Sequence, residues 1–88
     1  MRYWERNPEA ALRFAEDLYA ALELIAQNPR RSALYPGLPE HLGVRRFVLR
    51  DFPYVLPYLV VEDAVFVLAI AHTHRQPGYW IRRLPNPR

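Results

Sequence analysis

Apolar and polar positions along this chain change their period twice. Over residues 7–27 the apolar side chains return at helical intervals. Leu12, Ala15, Tyr19, Leu22 and Ala26 fall on one stripe, and Phe14, Leu18, Ala21 and Ile25 on the adjacent one. Together they predict an amphipathic helix with a broad apolar face, and Arg13, Glu16, Asp17 and Glu23 take much of the remainder. Asn7-Pro8-Glu9 supplies the start signals: an Asn cap, Pro at the first helical position and an acid in the first turn. Asn28-Pro29 ends the helix. Residues 29–43 lose the period and contain Pro29, Pro36, Gly37, Pro39 and Gly43, which reads as an ordered loop.

From residue 44 the period becomes two. Arg46, Val48 and Arg50 share one face of a strand, and Arg45, Phe47 and Leu49 share the other. Phe47 and Leu49 should face the core, so Arg46 and Arg50 should project together from the opposite side. Asp51-Phe52-Pro53 is a turn, residues 54–61 a second strand, and Glu62-Asp63 a tight turn into a third. That third strand carries seven consecutive apolar residues, 65–71, rich in Val and Ile and so a buried strand rather than a helix. Short turns make the three strands an antiparallel meander. Pro57 lies mid-run in the central strand, where it cannot donate to a ladder, and predicts a bulge there. Beyond it, Pro77-Gly78 is a turn and residues 79–84 a short helical turn. The fold class is α+β: an antiparallel three-stranded meander with an N-terminal helix packed on one face. One helix covers only about half of one sheet face, so a large apolar surface should be left bare.

Composition narrows the picture. At 88 residues the chain is one domain, 1–88, and its 51% hydrophobic content suffices for a core. With no cysteine, disulfides, thiolate nucleophiles and cysteine-held metals are excluded. No apolar stretch approaches the roughly 20 residues of a membrane span, and the N-terminus has no apolar signal core. A cytoplasmic protein is expected, with no membrane partner. The net charge of +3 is unevenly placed. Residues 1–40 hold five Arg against six acids, and residues 41–88 hold seven Arg against three acids. Every cation is Arg. A GC-rich coding sequence explains that usage, whereas the clustering of Arg in the strand half fits bidentate phosphate recognition.

Candidate chemistry follows the third strand directly: His72, Thr73, His74 and Arg75, then Gln76-Pro77-Gly78 and Tyr79-Trp80. Two imidazoles, a guanidinium and a phenol lie within eight residues with no acid among them. That set suits a phosphate-rich partner and acid–base chemistry on it. His72 equally fits a plain role, hydrogen-bonding a carbonyl as the strand leaves the core. Trp80 fits packing. Two His at i and i+2 without a third ligand are too few for zinc, so no metal and no cofactor are expected.

The order YWERNPEAALRF, ALELIAQNPRR, YPG, GVRRFVLRDFPYVLPYLV and VFVLAIAHTHRQPGYW resembles the RelE/ParE superfamily of type II toxin–antitoxin toxins over nearly all of the chain. The resemblance implies a strand, a helical hairpin and then the meander, with helices on one sheet face. Tyr3-Trp4-Glu5-Arg6 resembles the end of the family's first helix, so the first strand and most of that helix are expected to be missing here. It also implies a cognate antitoxin partner and one of two activities. RelE-like members cleave mRNA on the ribosome, and ParE-like members poison DNA gyrase without nuclease activity. For the nuclease, Arg45, Arg46 and Arg50 would bind nucleic acid. Arg75 would stabilise transition-state charge, while His72, His74 or Tyr79 would move protons or stack on a base. The clustered His, Arg and Tyr tip the expectation narrowly toward mRNA cleavage. The absence of Lys leans toward the gyrase poison. An inactive antitoxin-binding remnant is a third possibility. A homodimer or a toxin–antitoxin hetero-oligomer is open.

Overall fold

The computed structural model describes residues 7–73 and Trp80. Helix α1 (Pro8–Gln27) starts and stops where its sequence signals lie. Asn7 is extended, and its side-chain oxygen accepts the Ala10 N–H at 3.1 Å. At the far end the Asn28 N–H donates to the Leu24 carbonyl at 3.4 Å. Replacing Asn7 with Ala should lower stability by about 0.5–2 kcal/mol, read from the urea midpoint, because one N–H of the first turn loses its acceptor.

The sheet is built around one strand. β1 (Arg45–Val48), β2 (Tyr54–Val61) and β3 (Ala64–Val67) form the expected antiparallel meander with β2 in the middle. Phe47 pairs with Leu56, and Leu59 with Phe66. A fourth strand, β4 (Ala71–His72), also pairs with β2, through Tyr54 and Val55. The run 65–71 is therefore not one continuous strand. The pairing lapses at residues 68–70 and resumes one residue out of step.

Pro57 accounts for the lapse. The Leu49 N–H donates to the Tyr54 carbonyl, which makes 47↔56 and 45↔58 the hydrogen-bonded pairs of the β1–β2 ladder by alternation. Pro57, opposite Arg46, then turns its nitrogen toward the third strand. Its carbonyl accepts the Leu68 N–H at 2.8 Å, but it has no N–H to return. The bulge predicted at Pro57 is thus absorbed by its neighbour, in residues 68–70.

Alternation along β2 sorts the core into two. Leu56 and Tyr58 face α1 and pack with Ala21, Ile25 and Leu49, flanked by Phe14, Leu18 and Phe47. Val55 and Leu59 face the other way and pack with Val44, Leu68, Ala69, Ala71 and Trp80. What covers this second face is the connector. Tyr35, Leu38 and Leu42 lie against it, with a short 3-10 turn at Glu40–Leu42. Gly43 follows at φ +68°, a left-handed conformation. No atom lies within 4 Å of the position a Cβ would take there. Gly43→Ala should therefore cost about 1–2 kcal/mol from the backbone alone, again read from the urea midpoint.

The helix meets the sheet on a narrower face than its periodicity predicts. Phe14, Leu18, Ala21 and Ile25 pack there, joined from the neighbouring stripe by Leu22. Leu12 and Tyr19 are 63% and 68% exposed, and Ala26 is exposed too. With Phe14, Leu18, Ala21 and Ile25 turned to the sheet, Leu12 and Tyr19 lie more than a right angle round the helix and point away from it. The bare apolar surface expected from the sequence is real, and it includes Leu12, Tyr19 and Ala26 of the predicted helix face.

Candidate functional site

The candidate residues lie on different parts of this scaffold. His72 sits in β4, paired with Tyr54 of β2 and half-buried. Its ring meets the Tyr54 ring edge-on, with centroids 5.5 Å apart. Tyr54 in turn packs against Phe14 of α1 at 5.5 Å, and Phe14 against Phe52 at 5.2 Å. His72 is thus the outer member of an aromatic row that ties the sheet to the helix. The sequence placed His72 at the end of a buried strand but did not disclose this row, because its other members come from distant parts of the chain, α1 and residues 52–54.

The arginines of β1 divide between faces as their alternation requires. Arg45 lies on the helix side with Phe47, half-buried, and its guanidinium donates to the Ser32 carbonyl at 2.6 Å. Arg46 is exposed on the opposite face, and its backbone N–H donates to the Ala33 carbonyl at 3.0 Å. Arg50 is exposed beyond the end of β1, but it lies on the α1 side and does not project with Arg46 from the opposite face, because the strand's alternation ends at Val48. It borders a groove of about 820 Å³ between α1 and the β1–β2 turn. Arg13, Asp17, Leu24, Phe47 and Asp51 also line that groove, and the Asp51 N–H donates to the Asp17 carboxylate at 3.1 Å. Among the described residues, therefore, Arg45, Arg46, Arg50 and His72 do not converge on one phosphate-sized point. His74, Arg75 and Tyr79 lie outside the described residues.

Trp80 is fully buried in the second core, edge-on to Tyr35 at 5.3 Å, which is the packing role its sequence position allowed. Tyr58 was not singled out by its sequence context. It is fully buried at the centre of β2, and its hydroxyl donates to the Pro29 carbonyl at 2.6 Å, which pins the exit of α1 to the sheet. Among the described residues no group of three or more His, Asp or Glu is placed to hold a metal ion. No helix among them is long and apolar enough to cross a membrane.

Comparison with known proteins agrees with this architecture. A curated protein of Sinorhizobium fredii, Y4kP, named as a candidate toxin, is 32% identical over 71 residues, which is 80% of this chain and 68% of that protein. No solved structure matches the chain. The family model for the ParE toxin of the type II toxin–antitoxin system parDE matches residues 2–77. With an α+β meander behind one helix and a family match over most of its length, the chain belongs to the ParE family of type II toxin–antitoxin toxins.

Proposed function

We propose that this toxin acts by binding its target, as a DNA gyrase inhibitor of the ParE kind, rather than by cutting mRNA on the ribosome. The observation that carries this reading is the dispersal of the described cations. Transesterification of RNA needs a base, an acid and phosphate-binding cations around one phosphorus. Arg45 is tied to a backbone carbonyl, Arg46 lies on the other sheet face, and His72 packs on Tyr54. A binding surface has no such requirement. Membership of a type II system implies a cognate antitoxin as a partner.

The alternative, ribosome-dependent cleavage, keeps one observation in its favour: His74, Arg75 and Tyr79 follow His72 closely in the sequence. The two are separated by inducing the chain in a bacterium and reading mRNA 5′ ends and plasmid topology from the same culture. Altered supercoiling or DNA breaks with intact mRNA is the expected result. New mRNA ends within codons would overturn it. In that case His74→Ala combined with Arg75→Ala should abolish both the new ends and toxicity while antitoxin binding is kept.

A further inference from the structure

We propose that residues 30–34 form a strap over the outer edge of β1, latched by the Arg45 guanidinium, and that this strap keeps the edge from pairing with other chains. The chain changes sides of the sheet here. At the exit of α1 the Pro29 carbonyl accepts the Tyr58 hydroxyl on the helix side. By Tyr35 the chain has reached the opposite face, where the Tyr35 ring lies edge-on to Trp80 in the second core. Between these points it rounds β1. Leu34 bridges to Arg45. The Tyr35 N–H donates to the Val44 carbonyl at 2.7 Å, and the Arg46 N–H donates to the Ala33 carbonyl at 3.0 Å.

Burial does not hold this segment down. Arg30, Arg31, Ala33 and Leu34 are exposed, and Ser32 is half-buried. The anchors on either side are firmer: Tyr58 fixes the exit of α1, and Tyr35, Leu38 and Leu42 pack on the second core. The strap itself depends on hydrogen bonds. Two are the backbone bonds that involve Val44 and Arg46. Another runs from Arg45 Nη1 to the Ser32 carbonyl at 2.6 Å, in a partly buried position. A bond with an ionised donor is stronger than a neutral one. Arg30 adds a longer, exposed contact, its guanidinium donating to the Glu62 carbonyl at 3.4 Å. Pro29 and Pro36 bracket the segment and restrict the conformations it gains on lifting, which favours reclosure.

What the strap covers is a strand edge. Arg45 and Phe47 turn their N–H and C=O groups toward β2, so Arg46 and Val48 turn theirs outward. The strap occupies the Val44–Arg46 end of that edge. With it lifted, the Val44 carbonyl and the Arg46 N–H join the groups of Val48 in one uninterrupted outward row. Such a row is a template for another strand, and native edges are blunted against it by charge, proline or a covering segment. β1 has no proline, and Arg45, one of its two charged residues, is turned onto the cover itself.

The test is native-state hydrogen exchange, read by nuclear magnetic resonance, on the 88-residue chain and on Arg45→Met, which keeps an apolar stem and deletes the donor. In the unaltered chain the Tyr35 and Arg46 amides should share one protection factor, well below that of the Phe47 and Leu56 amides held in the β1–β2 ladder. Arg45→Met should lower the protection of Tyr35 and Arg46 about tenfold, the effect of one hydrogen bond to a charged group. Arg46→Met, the exposed neighbour of the same charge, should leave it unchanged. At equal concentration, light scattering should give a larger mean mass for Arg45→Met than for the unaltered chain or Arg46→Met. Equal protection of Tyr35, Arg46, Phe47 and Leu56 in the unaltered chain would overturn the proposal, even if Arg45→Met failed to fold. So would unchanged protection of Tyr35 and Arg46 in Arg45→Met, an equal loss in Arg46→Met, or no gain in mass.

Discussion

Trp80→Ala should remove about 3–5 kcal/mol of stability, the largest single loss expected from the second core. The indole is fully buried and packs with Val44, Val55, Leu59, Leu68, Ala69 and Ala71, with Tyr35 edge-on to it. Those neighbours come from the connector, from β2 and from the break between β3 and β4. They cannot collapse together into the space a Trp leaves without moving the strands that carry them. Trp80→Phe should cost much less. It keeps most of the apolar contact and deletes a buried Nε1–H that meets no acceptor among the described residues. An unmatched buried donor costs roughly 1–3 kcal/mol, which offsets part of the lost volume. Urea denaturation followed by circular dichroism distinguishes the two. Equal losses for Ala and Phe would mean that the indole N–H, and not the ring, holds this core.

Tyr58→Ala should cost a comparable amount, about 3–5 kcal/mol, for a different reason. Tyr58 is fully buried on the helix side, where it packs with Ala21, Ile25, Leu49 and Leu56. It also reaches across to the Pro29 carbonyl. Tyr58→Phe isolates that hydrogen bond and should cost only about 0.5–1.5 kcal/mol. Pro29 is half-buried, so water can replace the hydroxyl at its carbonyl, which favours the lower end of that range. A loss from Phe as large as that from Ala would place the stability in the helix exit rather than in the ring packing.

The elements most legible in the sequence are those whose cause is local. Asn7 and Pro8 mark the start of α1 within a single turn, and Glu62-Asp63 marks the β2–β3 turn, where Glu62 takes φ 56°. The faces of β1 were also legible, because alternation alone separates Arg45 from Arg46. What could not be read depends on width and distance. Leu12 and Tyr19 satisfy the helical period as well as Phe14 and Leu18 do, and only tertiary packing decides which stripe turns to the sheet. Tyr35, Leu38 and Leu42 lie among prolines and glycines with no period, so nothing local shows that they fold over the second sheet face. Pro57 announces a fault in the ladder but not which strand absorbs it. The candidate site divides in the same way. Residue types near His72 were visible, whereas its partner Tyr54, and Phe14 behind that, are brought into the row by tertiary packing.

The break opposite Pro57 also bears on how the protein opens. β1, β3 and β4 all depend on β2 for their ladders, but β4 is only two residues long and is separated from β3 by the fault. The Ala71 amide is held across the ladder by Val55, and that of Thr73 by the Pro53 carbonyl. This stretch can detach without unzipping β1, β2 or β3, because no continuous ladder transmits the opening past residues 68–70. Native-state hydrogen exchange should then show two tiers of protection. The amides of β2 that face β1 should exchange only through global unfolding. Those of Ala71 and Thr73 should exchange through a cheaper, sub-global event. The segment that presents His72 would thus be a separate cooperative unit.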